Sequence, residues 1–307
     1  MLPLVKTAPW RMNENVIYCH KTKGVDAMAQ KKRKKQCKQL QLGLLAVALG
    51  LAALLPVAAV LQKQFPQTLP EPAGETTEAP AITHPTLPEN PYHSTDFQYA
   101  GDYLSCLTAD SRLGIDVSSH QGVIDWQQVA ASGVEFAMIR LGYRGYETGV
   151  IKVDDYARSN LAAAREAGLD VGVYFFSQAI TAEEARQEAN FVLAVLEEAK
   201  LQMPVVFDWE LIAGEARTGG IDSRTLTDCA IAFCQVIQDA GYEPMVYFNQ
   251  HLAEALLNLE ELTEYEFWLA MYTDQMTYPY RIRMWQYTEE GTVPGIDGSV
   301  DINLWLP

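Results

Sequence analysis

The sequence is poor in cysteine and histidine, which limits the kinds of site it can build. Its five cysteines are irregularly spaced and form no Cys-x-x-Cys pair, so a disulfide framework is not expected. Its five histidines are scattered and lack the spacing of structural zinc ligands. We therefore predict no metal and no cofactor.

Basic residues are scarce outside the N-terminus. The formal net charge is −16, but residues 1–40 hold ten Lys and Arg against two acids, which leaves 13 basic and 37 acidic residues in 41–307. Nucleic-acid binding depends on Lys and Arg contacts to phosphate. An acidic chain of this kind excludes a nucleic-acid partner for its folded part.

One long apolar run lies near the N-terminus. Residues 40–61 read LQLGLLAVALGLAALLPVAAVL, 22 residues without a charge, which is enough to span a bilayer core. The basic cluster KKRKKQCK directly before it follows the positive-inside rule. We predict a transmembrane anchor at 40–61, a cytoplasmic segment at 1–39, and an extracytoplasmic remainder.

Two alternatives to this N-terminal organisation stay open. Val57-Ala58-Ala59 resembles a signal-peptide cleavage site, and cleavage there would give a secreted protein. Residues 1–27 would be an upstream extension if translation begins at Met28.

The segment after the apolar run is rich in proline, threonine and glutamate, as in QTLPEPAGETTEAPAITHPTLPEN. Such a composition buries too little apolar surface to fold, and its prolines keep the chain extended. We predict a disordered stalk over residues 62–110. Within it, residues 91–110 carry no clear structural signal.

From residue 111 onward, strand and helix signals alternate. The predicted strands are 113–118, 135–141, 170–177, 203–210, 243–249, 266–272, 281–287 and 300–305, and the predicted helices are 125–131, 154–167, 181–200, 223–240 and 250–257. This order predicts the α/β class. We expect an irregular single (β/α) barrel of about eight strands, with fewer helices, over residues 111–307.

Four acids fall on or near the ends of predicted strands, where barrels place their catalytic groups. They are Asp116 in GIDVS, Asp208 and Glu210 in VVFDWE, and Asp301 in SVDINLW. Asp208 and Glu210 share one face of their strand, because side chains alternate. Charged groups on an apolar strand are costly to bury, which favours a cleft. For Asp116 and Asp301, capping a turn or pairing with Arg140 is the structural alternative.

Crowded carboxyl groups suit glycoside hydrolysis. The reaction needs a protonated acid for the leaving oxygen and a second, negative carboxylate near the oxocarbenium-like centre. Neighbouring carboxylates raise at least one pKa among them. An Asp-x-Glu pair alone is a weak signal, and the acids at other strand ends strengthen it.

Several motifs resemble the lysozymes of glycoside hydrolase family 25. These are GIDVSSHQGVIDW (114–126), VVFDWE, FWLAMY (267–272) and WQYTEEGTVPGIDGSVDINLW (285–305), covering roughly 112–307. The resemblance implies cleavage of the β-1,4 bond between N-acetylmuramic acid and N-acetylglucosamine in peptidoglycan. It implies Glu210 as general acid/base, Asp208 as its partner carboxylate, and Asp116 and Asp301 as further acids of the cleft. The family is regarded as retaining; the sequence leaves the nucleophile open.

Aromatic and amide side chains near strand ends are candidates for binding sugar. We predict contacts from Tyr174, Tyr247, Tyr272, Trp285, Gln286 and Tyr287, although aromatic residues in strands are as often core. For His120 we expect a buried, hydrogen-bonded loop residue rather than a catalytic one.

The favoured prediction is a monomeric, membrane-anchored peptidoglycan hydrolase used in wall remodelling or turnover. The alternatives are a catalytically silent glycan-binding module on a stalk, a hydrolase of another aminosugar polymer, and a structural anchor without a ligand. The Asp-x-Glu pair disfavours the silent module, because glycan binding alone does not require it.

Overall fold

The structure is a computed structural model that describes residues 86–197, 199–212 and 214–307. Within these residues, eight strands close into a barrel in the order β3-β4-β6-β7-β8-β9-β10-β11, and β11 pairs back with β3. The barrel strands are β3 (Arg112–Val117), β4 (Phe136–Arg144), β6 (Asp170–Ser177), β7 (Val205–Trp209), β8 (Pro244–Asn249), β9 (Glu266–Ala270), β10 (Met284–Gly291) and β11 (Val300–Trp305). The predicted eight-stranded barrel is confirmed.

The barrel is irregular because its last strand is reversed. Neighbouring strands of the barrel pair in parallel from β3 to β10, whereas β11 is antiparallel to both β10 and β3. A short connection joins β10 to β11, and without a crossover helix only an antiparallel pair can form. The fold therefore fits a regular TIM barrel only loosely.

Five α-helices surround the barrel in the described part of the chain: α1 (Trp126–Ala131), α2 (Ala157–Glu166), α3 (Ala182–Leu196), α4 (Ser223–Asp239) and α5 (Gln250–Ala255). Asp125, Thr181, Asp222 and Asn249 cap four of them by accepting a backbone N–H, as N-cap side chains do. Gly168 and Gly241 follow α2 and α4 with positive φ, as their sequence positions predict. Three 3-10 helices cover Ser94–Asp96, Ser119–Gln121 and Leu259–Glu261.

Strand alternation divides the core into two layers. Val206, Met245 and Trp268 belong to a cluster inside the barrel, whereas Phe207 and Trp209 belong to the larger cluster that includes the helices. The apolar interior fills one end of the barrel, and the acids described below occupy the other. The strands thus carry core and site on the same inward face.

The C-terminal part of the predicted disordered stalk is folded, because it contains a β-hairpin. Within residues 62–110, β1 (Phe97–Ala100) and β2 (Tyr103–Cys106) pair in antiparallel fashion. Phe97 and Leu104 are buried, and the Phe97 ring lies edge-on to Trp285 at 5.2 Å. The hairpin is ordered because it covers two aromatic side chains of β10, which the local sequence does not reveal. A further short strand, β5 (Ile151–Val153), extends β4.

No helix in the described residues is long and apolar enough to cross a membrane. The predicted anchor at 40–61, the segment 1–39 and residues 62–85 of the predicted stalk lie outside the described residues.

Candidate active site

A cleft of about 620 Å³ opens at the carboxyl ends of the parallel strands, and all four predicted acids line it. Its walls also contain Tyr174, Tyr247, Tyr272, Gln286, Trp268, Arg140 and Glu289. The position agrees with the rule that barrel active sites lie at this face. The four acids lie on or directly after β3, β7 and β11, strands far apart in sequence.

The carboxyl pair of β7 follows strand alternation. Asp208 and Glu210 both line the cleft, while Val205, Phe207 and Trp209 pack in the outer layer. This confirms the predicted facing of the strand. β7 itself ends at Trp209, so Glu210 is the first residue beyond the ladder, at the mouth of the barrel.

Asp208 is the most isolated of the acids. It is only 4% exposed, and its Oδ1 has no hydrogen-bond partner among the described residues. Burial raises the pKa of this carboxyl well above its ordinary value, and the nearby charges of Glu210 and Asp116 raise it further. A buried, unsatisfied carboxylate oxygen is costly, and a ligand in the cleft would relieve that cost.

Glu210 is less enclosed than Asp208, since its side chain is partly accessible from the cleft. Burial is the main cause that raises its pKa, followed by the charges of Asp116 and Glu289. A carboxyl whose pKa is raised above its ordinary value and that remains reachable from the cleft has the properties of a general acid.

Asp116 is fixed by two amides. Its Oδ2 accepts hydrogen bonds from Gln286 Nε2 and Asn303 Nδ2, both at 2.8 Å. Burial raises its pKa, and these hydrogen bonds act in the opposite direction. The predicted alternative of pairing with Arg140 is wrong, because Arg140 binds Asp154 at 2.8 Å instead.

Asp301 lies directly across from Asp116 in the antiparallel register of β11 and β3. Burial, and then the charge of Asp116, raise its pKa to about 9. Gln286 Nε2 also lies 3.4 Å from Asp301 Oδ2. The Asp301 carboxyl is therefore protonated at neutral pH.

Gln286 joins the acids to the aromatic wall. Its Oε1 accepts hydrogen bonds from the hydroxyls of Tyr247 and Tyr272, each at 3.1 Å, while its Nε2 serves Asp116. One buried amide thus orients a carboxylate and two phenols. Tyr272 is half-exposed and presents the rest of its ring to the cleft.

Two predicted sugar contacts are absent from the cleft. Trp285 donates its indole N–H to the carbonyl of Met271 at 2.8 Å, and the Tyr287 hydroxyl accepts the backbone N–H of Leu104 at 3.2 Å. Both side chains face the hairpin and are buried. The prediction for them is wrong because only Gln286, the residue between them, points into the barrel. Tyr174, Tyr247, Tyr272 and Gln286 do line the cleft.

Sequence reasoning missed several lining residues. Arg140 lines the cleft, and its guanidinium donates hydrogen bonds to Asp154 and to Ser119. Trp268 also lines the cleft, and its indole N–H donates to Asn303 Oδ1 at 2.9 Å. Glu289 is a fifth acid that lines the cleft, and it is exposed. The sequence feature that could have identified it is its position in Thr288-Glu289-Glu290, directly after the WQY motif. His120 is exposed at the rim rather than buried as expected.

Among the described residues, no group of three or more His, Cys, Asp or Glu side chains is arranged to hold a metal ion. The chemistry available from the residues themselves is proton transfer and electrostatic stabilisation by crowded carboxyl groups.

Comparison with known proteins places this geometry in a family. The family described as glycosyl hydrolases family 25 matches residues 115–296. The uncharacterized protein YegX of Escherichia coli O157:H7 is 28% identical over 200 residues, covering 62% of this chain and 68% of its own length. The autolytic lysozyme of Clostridium acetobutylicum is 25% identical over 191 residues, covering 62% of this chain and 54% of its own length.

Solved structures agree with these relatives. The modular autolysin LytC of Streptococcus pneumoniae aligns with a TM-score of 0.56 and 26% identity, covering 64% of this chain and 46% of that one. LytC has also been solved in complex with a synthetic peptidoglycan ligand. The aligned part of the present chain therefore spans about half the length of that autolysin.

Proposed function

This chain belongs to glycosyl hydrolases family 25 and is a glycoside hydrolase; from that membership we propose that it cleaves peptidoglycan at the β-1,4 bond between N-acetylmuramic acid and N-acetylglucosamine. The observation that carries the proposal is the convergence of Asp116, Asp208, Glu210 and Asp301 on one cleft. The autolysin and lysozyme relatives support a wall glycan as the substrate.

Glu210 is the general acid in this proposal. It protonates the leaving glycosidic oxygen as the bond to the anomeric carbon breaks, and later accepts a proton from the water that completes hydrolysis. Its raised pKa keeps the proton available, and its position just beyond β7 lets a substrate reach it.

Asp208 supplies the negative charge beneath the anomeric carbon. Because the Glu210 charge raises the pKa of Asp208, protonation of Glu210 favours ionisation of Asp208. The free Oδ1 of Asp208 then faces the developing positive charge of the oxocarbenium-like centre. The attacking group in a retaining reaction is either Asp208 or the 2-acetamido oxygen of the substrate.

Asp116 and Asp301 complete the acidic floor in this proposal. Asp116 is held by amides, and the protonated Asp301 carboxyl can donate a hydrogen bond to a substrate oxygen or to Asp116. Tyr174, Tyr247, Tyr272 and Gln286 bind the sugar rings through stacking and hydrogen bonds.

We also propose that residues 40–61 anchor a monomeric enzyme with its barrel outside the cytoplasm, for remodelling or turnover of the cell's own wall. A tether would keep the barrel at high local concentration near that wall. Membrane fractionation with N-terminal sequencing of the native protein tests this; a soluble form beginning after residue 59 as the sole species would refute it.

The function is tested by incubating the purified full-length protein with peptidoglycan and, in parallel, with chitin, which lacks muramic acid. The proposal predicts new reducing ends from peptidoglycan only. Release from chitin at a comparable rate would favour a hydrolase of another aminosugar polymer. Binding to peptidoglycan without release would favour the silent module.

A further inference from the structure

The backbone of Glu210 is held by a side chain from the neighbouring strand end. The ladder between β6 and β7 finishes at the pair Ser177 and Trp209, so the carbonyl of Glu210 has no strand partner there. Gln178 fills this position, since its Nε2 donates to the Glu210 carbonyl at 2.9 Å. The same nitrogen donates to the Ser177 carbonyl at 2.9 Å, and Gln178 is fully buried.

A third residue, Thr218, binds the oxygen of the Gln178 amide. Thr218 Oγ1 donates to Gln178 Oε1 at 3.1 Å, and Thr218 is itself buried. The carbonyls of Ser177 and Glu210 can only accept hydrogen bonds, so the amide nitrogen must point toward them and the amide oxygen toward Thr218. A flipped amide would place two acceptors against each other.

Arg217 anchors the same junction from the other side. Its guanidinium donates to the Gln178 carbonyl at 2.7 Å and forms a two-bond ion pair with Glu184 at 2.6 and 2.8 Å. Its backbone N–H donates to the carbonyl of Tyr146 at 2.9 Å. Residues 214–222, here called the rim segment, are thereby tied to the loop that carries Tyr146, which also lines the cleft.

We propose that Gln178 is a positioning residue for Glu210 and that Thr218 holds the Gln178 amide in place through its oxygen. The inference rests on the proposed function, in which Glu210 is the general acid. It adds that the rim segment controls where this carboxyl sits, through one buried amide rather than through contact with substrate.

Loss of the hydrogen bond from Gln178 to the Glu210 carbonyl has a specific consequence. If Gln178 no longer holds the carbonyl, Glu210 is free to shift toward solvent, and the burial that raises its pKa decreases. The alkaline limb of the pH profile, which reports the acid that must stay protonated, then moves to lower pH. Misplacement also lowers kcat more than it changes KM, because the interaction matters in the transition state.

The test compares three threonine variants in the full-length protein. Thr218→Val removes the hydroxyl with little change in shape, and Thr218→Ser retains it. Thr227→Val is the matched control, because Thr227 is also buried and hydrogen-bonded but belongs to the second turn of α4. Gln178→Met removes the donor itself.

We expect Thr218→Val and Gln178→Met to lower kcat on peptidoglycan by roughly tenfold or more with KM within about twofold, and to shift the alkaline limb downward. Thr218→Ser restores both values, and Thr227→Val lowers Tm without moving either. The proposal would be overturned if Thr218→Val lowered Tm but left kcat and the position of the alkaline limb unchanged.

A second readout does not need activity, so it separates failure of this inference from failure of the proposed function. The difference in Tm between Glu210→Gln and the parent, followed across pH, reports the pKa of Glu210. We expect that dependence to move to lower pH in the Thr218→Val background. An unchanged dependence would refute the positioning role even if the wild type cleaved no peptidoglycan.

Discussion

Asp116 and Asp301 stand opposite each other on antiparallel strands, as direct register partners of β3 and β11. Two carboxyl groups in this relation cannot both ionise cheaply. Two amide donors stabilise the charged form of Asp116, whereas the pKa of Asp301 is raised to about 9, so that Asp301 keeps its proton. The reversed last strand is what brings the two ends of the barrel sequence into this contact.

Asp301→Asn should therefore stabilise the fold while impairing activity. The folded pKa of Asp301, about 9, lies above its ordinary 3.8, so the folded state holds the proton more tightly and stability decreases as pH rises between these values. An asparagine does not titrate. We expect a gain of at least ~1 kcal/mol at pH 7, absent near pH 3.5.

Thermal unfolding of wild type and Asp301→Asn between pH 3.5 and 9 measures this gain. Each kcal/mol corresponds to about 2–4 °C in Tm for a domain of this size. A difference in Tm that stays constant or shrinks as the pH rises would show that the pKa of Asp301 is not raised in the folded protein.

Substitution of Trp285 should affect stability alone, whereas substitution of Tyr272 should affect activity alone. Trp285→Phe removes a buried hydrogen bond to Met271 and should lower the free energy of unfolding by about 1–3 kcal/mol with KM unchanged. Tyr272→Phe removes a hydroxyl that touches Gln286 in the cleft and should raise KM or lower kcat several-fold with little change in Tm. Steady-state kinetics and calorimetry of both variants check these predictions. A change in KM in Trp285→Phe would mean that Trp285 does contribute to substrate binding.

The hairpin should behave as part of the barrel. Phe97→Ala removes a buried ring packed on Trp285 and should cost about 3 kcal/mol. Tyr99 is 54% exposed on the same strand, and Tyr99→Ala should stay within about 0.5 kcal/mol. Denaturant unfolding of the two variants makes the comparison, and equal small effects would mean that the hairpin does not support the domain.

The sequence predicted the barrel strands well because several are short continuous apolar runs, as in β4, β8 and β9, which is typical of parallel strands buried on both faces. It also predicted the facing of Asp208 and Glu210, since period-two geometry alone determines it. Trp285 and Tyr287 lie on the opposite strand face from Gln286, so only one of these two faces can line the cleft, and in the structure it is the face of Gln286.

The hairpin and the Gln178 junction had no local signal. Phe97 and Leu104 become core residues only through β10, about 180 residues further along the chain. The partner of Arg140 was likewise decided by the path of the loop that brings Asp154 to it. Such pairings join residues of different elements and depend on the tertiary fold, which no short window of the sequence encodes.

The most direct measurement of the central claim identifies the sugar at the newly formed chain end. Peptidoglycan digested by the full-length protein is reduced with borohydride, and the products are separated and identified by mass, beside Glu210→Gln as the control. The account predicts muropeptides ending in reduced N-acetylmuramic acid, with a rate that falls by roughly 10²–10⁴-fold in the control, the range for loss of a general acid. Products ending in reduced N-acetylglucosamine, or an undiminished rate in Glu210→Gln, would contradict it.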